Sequence, residues 1–405
     1  MSTFELRTSP TILFGRGVRA KLADLARPFG TRVLLVTGGK SFAASGELER
    51  TLASLRASGM SVVGYAVGGE PEVLGVDEGV SLAKSAGCDV VIGIGGGSAL
   101  DTAKAIAAVA PNGGSSLDYL EGLGAGSRAL SALPLPMLAL PTTAGSGSEV
   151  TKNAVLRVRT QGVALKRSIR SDLMVPRVAL VDPDLSSGAP LSVTAPAALD
   201  ALTHLLEGYV SRGAQPTTDL LALEGVRRSF RALSSLASAH SEAYAHVGDE
   251  LALASLWGGI VLANAGLGAV HGLVAPLGGR FPMPHGCGCG ALLAATFRAN
   301  VTALRQRDPS HTALVRYGHI AEILTGDSAK AEAAADSLDA LRARLGVKQL
   351  AHYGVDEGSL AAVIAGARGG SMRSNPIVLS DAELESILRA SLGTPRQSIS
   401  AESPP

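Results

Sequence analysis

The chain alternates short, continuous apolar runs with longer stretches of helical spacing. Arg32–Thr37 (RVLLVT) and Asp89–Ile94 (DVVIGI) are apolar at nearly every position, the pattern of parallel strands buried on both faces. Ser61–Ala66, Met137–Leu140, Val155–Val158 and Val178–Val181 read as further strands. Between them, Val18–Ala26, Leu48–Ala57, Val73–Ala86 and Ala99–Ala110 carry the periodicity of helices. Strands and helices in alternation predict βαβ units and a parallel α/β sheet. Phe4–Arg7 and Thr11–Gly15, with Pro10 between them, predict a hairpin or edge strands. Pro111–Ser131, rich in Gly and Ser, reads as loop.

From about Thr194 to Leu392 the text is almost entirely helical. The expected organisation is therefore an α/β domain over residues 1–187 and an all-α domain over 188–393. Their junction falls near Ser186–Pro190. Residues 394–405, polar and Pro-bearing, are expected to form a disordered tail.

Length and composition narrow the class. A chain of 405 residues exceeds one typical core, in agreement with two domains. It is 46% hydrophobic and 18% charged, a packed globular balance. A net charge of +1 and only 3% aromatics offer neither an electrostatic footprint nor a stacking platform for nucleic acid. Three cysteines fit a reducing compartment without a disulfide framework, and a cytoplasmic location is expected. The first residues lack the basic and apolar regions of a secretory signal. Leu256–Gly279 is long and apolar enough to span a bilayer. Its glycines, the missing basic flank and His271 in its middle point instead to a buried helix that then turns. No membrane partner is expected.

Candidate chemistry sits in three glycine-rich turns and one apolar stretch. Gly93–Ser98 (GIGGGS) lies between a strand and a helix, where glycines admit a pyrophosphate to the helix N-terminus. Gly96, Gly97 and Ser98 are the candidates there. Pro141–Ser148 (PTTAGSGS) offers the hydroxyls of Thr142, Thr143 and Ser146 to a phosphate or a nicotinamide amide; an ordinary capped turn is the competing reading. Gly38, Gly39 and Lys40 follow the first buried strand, where dinucleotide folds often place an acid on the ribose 2′-hydroxyl. No acid stands here, and Lys40 leans the choice toward NADP.

In Leu199–Gly290, Asp200 and His204 are spaced to share one helix face. His271 and His285 come from later elements, the latter in Pro284–Gly286 (PHG). One carboxylate and three imidazoles on an apolar background suit Zn2+ or Fe2+ with a position left open. Each alone reads equally well as a satisfied core residue. Cys287 and Cys289 read as small buried neighbours rather than as thiolate ligands. The remaining histidines read as surface or structural.

Together these motifs resemble the iron-containing, or group III, alcohol dehydrogenase family, with its dehydroquinate synthase-like fold. The matching text is Gly95–Lys104 (GGGSALDTAK), Pro141–Thr151 (PTTAGSGSEVT), Val178–Pro183 (VALVDP), Asp200–His204 (DALTH), Asn264–His271 (NAGLGAVH) and Pro284–Gly286, in family order over roughly residues 4–392. The resemblance implies an active site in the cleft between the two domains. Asp200, His204, His271 and His285 would hold one divalent metal, Fe2+ or Zn2+. Gly96, Gly97 and Ser98 would hold the pyrophosphate, and Thr142, Thr143 and Ser146 the nicotinamide side. Lys166 falls where the family places a cofactor-contacting lysine. Asp101 and Lys104 match the motif; for Lys104 a helix-surface role fits as well.

Two departures stand out. Ala275 occupies a position where many members carry a second His, often assigned to proton relay. Gly38 stands where NAD-preferring members often have Asp. The expected activity is hydride transfer between NAD(P)H and an aldehyde or ketone, or the reverse from an alcohol. Catalytic residues beyond the metal ligands are not identified. Other readings are a dehydroquinate synthase-like or glycerol dehydrogenase-like relative, and a non-catalytic metal- or nucleotide-binding protein. A homodimer or higher homo-oligomer is expected.

Overall fold

A computed structural model describes residues 3–123, 127–160, 163–238 and 244–393. The expected tail, 394–405, lies outside them. The strands are β1 (Thr11–Phe14), β2 (Arg32–Gly38), β3 (Ser61–Val67), β4 (Val90–Gly95), β5 (Met137–Pro141), β6 (Asn153–Thr160), β7 (Val163–Arg170) and β8 (Val178–Val181). Six of them form one sheet in the order β1-β8-β5-β4-β2-β3, parallel at every pairing. The helices packed with this sheet are α1 (Leu22–Ala26), α2 (Lys40–Ala44), α3 (Glu47–Ala57), α4 (Val73–Ser85) and α5 (Gly97–Asn112). β4, buried at every position, and α5, buried along most of its length, make the spine of this half. Pro111 lies inside α5, so the helix runs into what its sequence suggested was loop.

Two sequence expectations need correction. Of the hairpin or edge strands expected at the N-terminus, Phe4–Arg7 is not a strand and one edge strand forms: Thr11–Phe14 lies at the sheet edge and pairs in parallel with β8. Its partner lies far along the chain, where local text cannot announce it. β7 is an added strand. It forms an antiparallel hairpin with β6, and its polar face, Lys166, Ser168 and Arg170, obscures the strand pattern.

Past β8 the chain is helical: α6 (Leu191–Val210), α7 (Pro216–Ser238), α8 (Tyr244–Ala265), α9 (Ala269–Arg280), α10 (His285–Arg307), α11 (Thr312–Thr325), α12 (Ala331–Arg344), α13 (Leu360–Gly366) and α14 (Asp381–Leu392). Their apolar faces share one core around Leu202, Leu205, Val261, Leu273, Leu292 and Leu338. The apolar run 256–279 does turn: α8 and α9 meet at 100°, with Gly266 at φ 73° in the break. Among the described residues only α10 is by itself long and apolar enough to cross a membrane, and 78% of its apolar window is buried within the protein.

The two halves meet through backbone. Gly147, at φ 61°, packs on Gly259 of α8; a Cβ on Gly259 would lie 2.7 Å from Gly147 Cα. A Cβ on Gly145 would lie 2.8 Å from Ala197 Cβ of α6. Only hydrogen fits at such separations. Gly259→Ala should therefore destabilise the fold by about 1–3 kcal/mol, the usual cost of overpacking, read as a lower urea midpoint. An unchanged midpoint would show that the contact yields freely.

Candidate active site

In this sheet the strand order reverses between β2 and β4, and ligands of open α/β sheets bind beyond the strand ends at such a switch. β2 ends in Gly38 and β4 in Gly95. α5 starts immediately after, capped at Gly96 by no side chain. Its first N–H groups are left for an anion. Gly96, Gly97 and Ser98 are each partly exposed. A Cβ on Gly96 would stand 3.3 Å from Thr143 Oγ1, and one on Gly97 2.9 Å from Ser146 Cβ. The Thr142 N–H donates to the Gly95 carbonyl at 2.9 Å. The three glycine-rich turns thus form one cradle. Gly39 is exposed beside it; Lys40 opens α2, but its side chain lies outside those described.

The second half of the GGGSALDTAK text braces this cradle from behind. Asp101 accepts from Ser148 Oγ at 2.6 Å and from the Val155 N–H at 2.9 Å, so both oxygens have protein partners. Lys104 is not on a helix surface: it is 1% exposed. Its ammonium donates to Thr151 Oγ1 at 2.8 Å and the Asn153 carbonyl at 2.6 Å, and pairs with Asp101. Glu149 is buried nearby with Oε2 unpartnered. Burial pushes its carboxyl up to about 7, against its own backbone hydrogen bond and the Lys104 charge.

From Gly145 the cradle touches Ala197, one turn before Asp200 on α6. Pro196 O sits against Gly286 of α10, one residue after His285. The cradle and the apolar stretch therefore share a wall. At that wall, donor atoms converge on Asp200 Oδ1: His271 Nε2 at 3.2 Å, His204 Nε2 at 3.6 Å, His285 Nε2 at 3.6 Å and Cys289 Sγ at 3.2 Å. The His204 and His271 rings stack with centroids 4.7 Å apart. Asp200, His271, His285 and Cys289 offer ligand atoms that all lie within 4.8 Å of one another. A tetrahedron of ~2.1 Å metal–nitrogen and metal–oxygen bonds has edges of about 3.4 Å. The spacings match those edges and are long for good hydrogen bonds, so the residues fit a bound divalent ion. His285 is the open member, with 41% of its side chain exposed.

Helix periodicity explains the set. Asp200, His204 and Glu207 fall on one face of α6, and His285 and Cys289 on one face of α10. Glu207 was not recognised from sequence, where it reads as an ordinary helix acid. It accepts His271 Nδ1–H at 2.7 Å and the Val270 N–H at 2.6 Å. It thereby caps α9 and turns His271 Nε2 toward Asp200. Such a carboxylate–histidine pair orients a metal-binding ring. The signal that could have found it is its i+3 relation to His204.

The electrostatics ask for a cation. Burial opposes charge on Asp200, yet His204, His285 and His271 hold its carboxyl well below the usual range. Burial drives His204 down to about 3. His271 is raised despite burial, by Cys289, Asp200 and Glu207. Two buried carboxylates, Asp200 and Glu207, thus leave this pocket in need of positive charge.

Lys166, on β7, forms an ion pair with Glu70. Its ammonium lies 3.4 Å from where a Gly278 Cβ would be, on the cleft side of α9 and within electrostatic reach of His285. Ala275, one turn beyond His271, is exposed and brings no proton-handling group. Cys287 is buried and neighbours Tyr353. His319 bonds to Tyr209 at 2.8 Å, His311 caps α11, and His352 stacks edge-on with Tyr353; these are structural.

The chain is similar to known proteins in sequence and fold. The family described as "Iron-containing alcohol dehydrogenase" matches residues 9–183, and "Fe-containing alcohol dehydrogenase family, C-terminal" matches 194–392. "Alcohol dehydrogenase 4" of Schizosaccharomyces pombe is 33% identical over 383 residues, 94% of this chain and 87% of that one. A 1,3-propanediol oxidoreductase structure superposes with TM-score 0.85 at 30% identity, covering 96% of this chain and all of the other. Sulfoacetaldehyde reductase from Bifidobacterium kashiwanohense, solved with NAD+, gives TM-score 0.83 at 29% identity, with 97% and 100% covered.

Two outcomes follow from this geometry. Glu207→Gln should keep the fold but weaken divalent-metal binding by about 10–100-fold, measured by metal titration; unchanged affinity would remove Glu207 from the site's support. Glu149 titrates from 4.5 toward about 7 on folding. The folded chain thus holds a proton that the unfolded chain releases, so this contribution to stability falls as pH rises between those values. Glu149→Gln should be stabilising relative to the parent above pH 7 and near neutral at pH 4.5 and below. A difference independent of pH would contradict it.

Proposed function

The chain belongs to the iron-containing alcohol dehydrogenase family and is an alcohol oxidoreductase, and on that premise we propose how its residues divide the work. Asp200, His204, His271 and His285 hold one divalent ion, Fe2+ or Zn2+. Gly38, Gly39, Lys40, Gly96, Gly97, Ser98, Thr142, Thr143, Ser146 and Lys166 face NAD(P), with NADP preferred. Asp101 serves the cofactor through the loop it braces. The substrate is a small alcohol or the corresponding aldehyde or ketone. The observation that carries this reading is the convergence of three imidazoles on the Asp200 carboxylate, at the wall shared with the glycine cradle.

When bound, the ion would supply Lewis acidity toward the substrate oxygen and the nicotinamide cofactor would supply hydride chemistry at the substrate carbon. The protein's own contribution is placement. Glu207 fixes the His271 ring. His285 borders the open side, where substrate enters. The close Gly145–Ala197 contact fixes the separation of cradle and donors, and an oriented reaction depends on such fixed placement. Ala275 moves no proton, so water or a substrate group carries it. The residues 1–187 and 188–393 act as two domains hinged at Ser186–Pro190. Exposed Phe4 and Leu6 in the N-terminal segment and Phe14 on the edge strand β1 support self-association as a homodimer or higher oligomer. Unpaired cysteines support a cytoplasmic location.

The test is nicotinamide absorbance during turnover of the metal-loaded chain on an aldehyde and ketone panel with NADPH and NADH. Net cofactor consumption is expected. A dehydroquinate synthase-like reaction would consume none, and a binding protein would turn over nothing. Asp200→Ala should lose bound metal and turnover together; full turnover by metal-free protein would contradict the ligand assignment. For the cofactor, a Cβ on Gly38 would meet Ala99 Cβ and Gly95 Cα at an ordinary 3.5 Å, so Asp can be accommodated. Gly38→Asp should move the kcat/KM ratio toward NADH by at least about tenfold, because a like-charge contact with a 2′-phosphate near the surface exceeds ~1.4 kcal/mol. An unmoved ratio would contradict the NADP preference.

A further inference from the structure

Cys289 is a buried thiol that the four-ligand assignment leaves unused. It lies on α10 one turn after His285, so both side chains project from the same helix face. Its residue is 0% exposed. Its Sγ stands 3.2 Å from Asp200 Oδ1 and 3.7 Å from His271 Nε2. For ~2.3 Å metal–sulfur and ~2.1 Å metal–nitrogen or metal–oxygen bonds, the corresponding edges run from about 3.1 Å at a right angle to about 3.6 Å at the tetrahedral angle. The Asp200 spacing falls within that range and the His271 spacing lies just above its upper end. Cys287, two residues earlier, is directed to Tyr353 instead, so the pair is not simply a small-residue filler.

We propose that Cys289 Sγ is a further ligand of the ion, joining Asp200 and the imidazoles in a mixed oxygen, nitrogen and sulfur set that shifts this site toward Zn2+. The inference rests on the metal site proposed above. Ligation exchanges the S–H proton for the ion, and the proton leaves to solvent. The thiolate and the Asp200 carboxylate would then contact the ion directly, while Glu207 keeps its hydrogen bonds from His271 Nδ1 and the Val270 N–H. A thiolate favours Zn2+ over harder ions such as Mn2+. The competing account is a plain S–H donor to Asp200, which needs no metal–sulfur bond.

The full chain loaded with Co2+ separates the two. A near-ultraviolet sulfur-to-cobalt absorption band is expected in the parent chain. Cys289→Ser should abolish it while still holding one Co2+, and Cys287→Ser should retain it. In Cys289→Ser the Zn2+-over-Mn2+ affinity ratio should fall by at least the roughly tenfold that even an outer hydrogen-bond partner can command. Co2+ bound with no sulfur band, and an affinity ratio unmoved by Cys289→Ser, would overturn the thiolate ligand and leave the Asp200–histidine site standing. No Co2+ bound by either the parent or Asp200→Ala, with both folded by circular dichroism, would overturn the metal site itself and the thiolate ligand with it.

Discussion

The structure turns on one buried charge. Asp200 sits inside an apolar helical core, where a lone carboxylate is costly. It is tolerated because imidazoles from α6, α9 and α10 surround it. Those helices are placed by the same core that buries the charge. Glu207 adds a second buried carboxylate, capping α9 and steering His271. Two acids and several neutral rings in one pocket form a site short of positive charge. A divalent ion would meet that need.

The other half of the molecule brings a cofactor cradle to this charge. The parallel sheet places Gly38 and Gly95 at neighbouring strand ends, and α5 starts there with an open N-terminus. Asp101 and buried Lys104 fix the loop that carries Thr142, Thr143 and Ser146. Backbone contacts at Gly145 and Gly147 then press that loop on α6 and α8. Cradle and donor cluster are therefore linked through main chain, which flexes less than side chains.

Much of this was legible in the sequence, for physical reasons. The strands β2 and β4 are apolar on both faces, and that pattern belongs to few structures. The glycine turns between strand and helix announce themselves by composition. Asp200, His204, His271 and His285 stand out against apolar neighbours. What stayed hidden depends on distant partners. The text at β1 fits a hairpin or an edge strand equally, because its partner, β8, lies far along the chain. Lys104 looked like a surface residue because lysines on helices usually are; its partners, Thr151 and Asn153, are on another element. Glu207 and Cys289 share helix faces with recognised residues. Only the fold shows that those faces converge on His271.

If one metal ion completes the charge at Asp200, crystals of the metal-loaded chain should show it by anomalous diffraction at the metal edge. One peak per chain is expected, within about 2.0–2.2 Å of the Asp200 carboxylate and the ring nitrogens of its histidine neighbours. A peak held by other residues, or none at Asp200 in protein that turns over substrate, would contradict it.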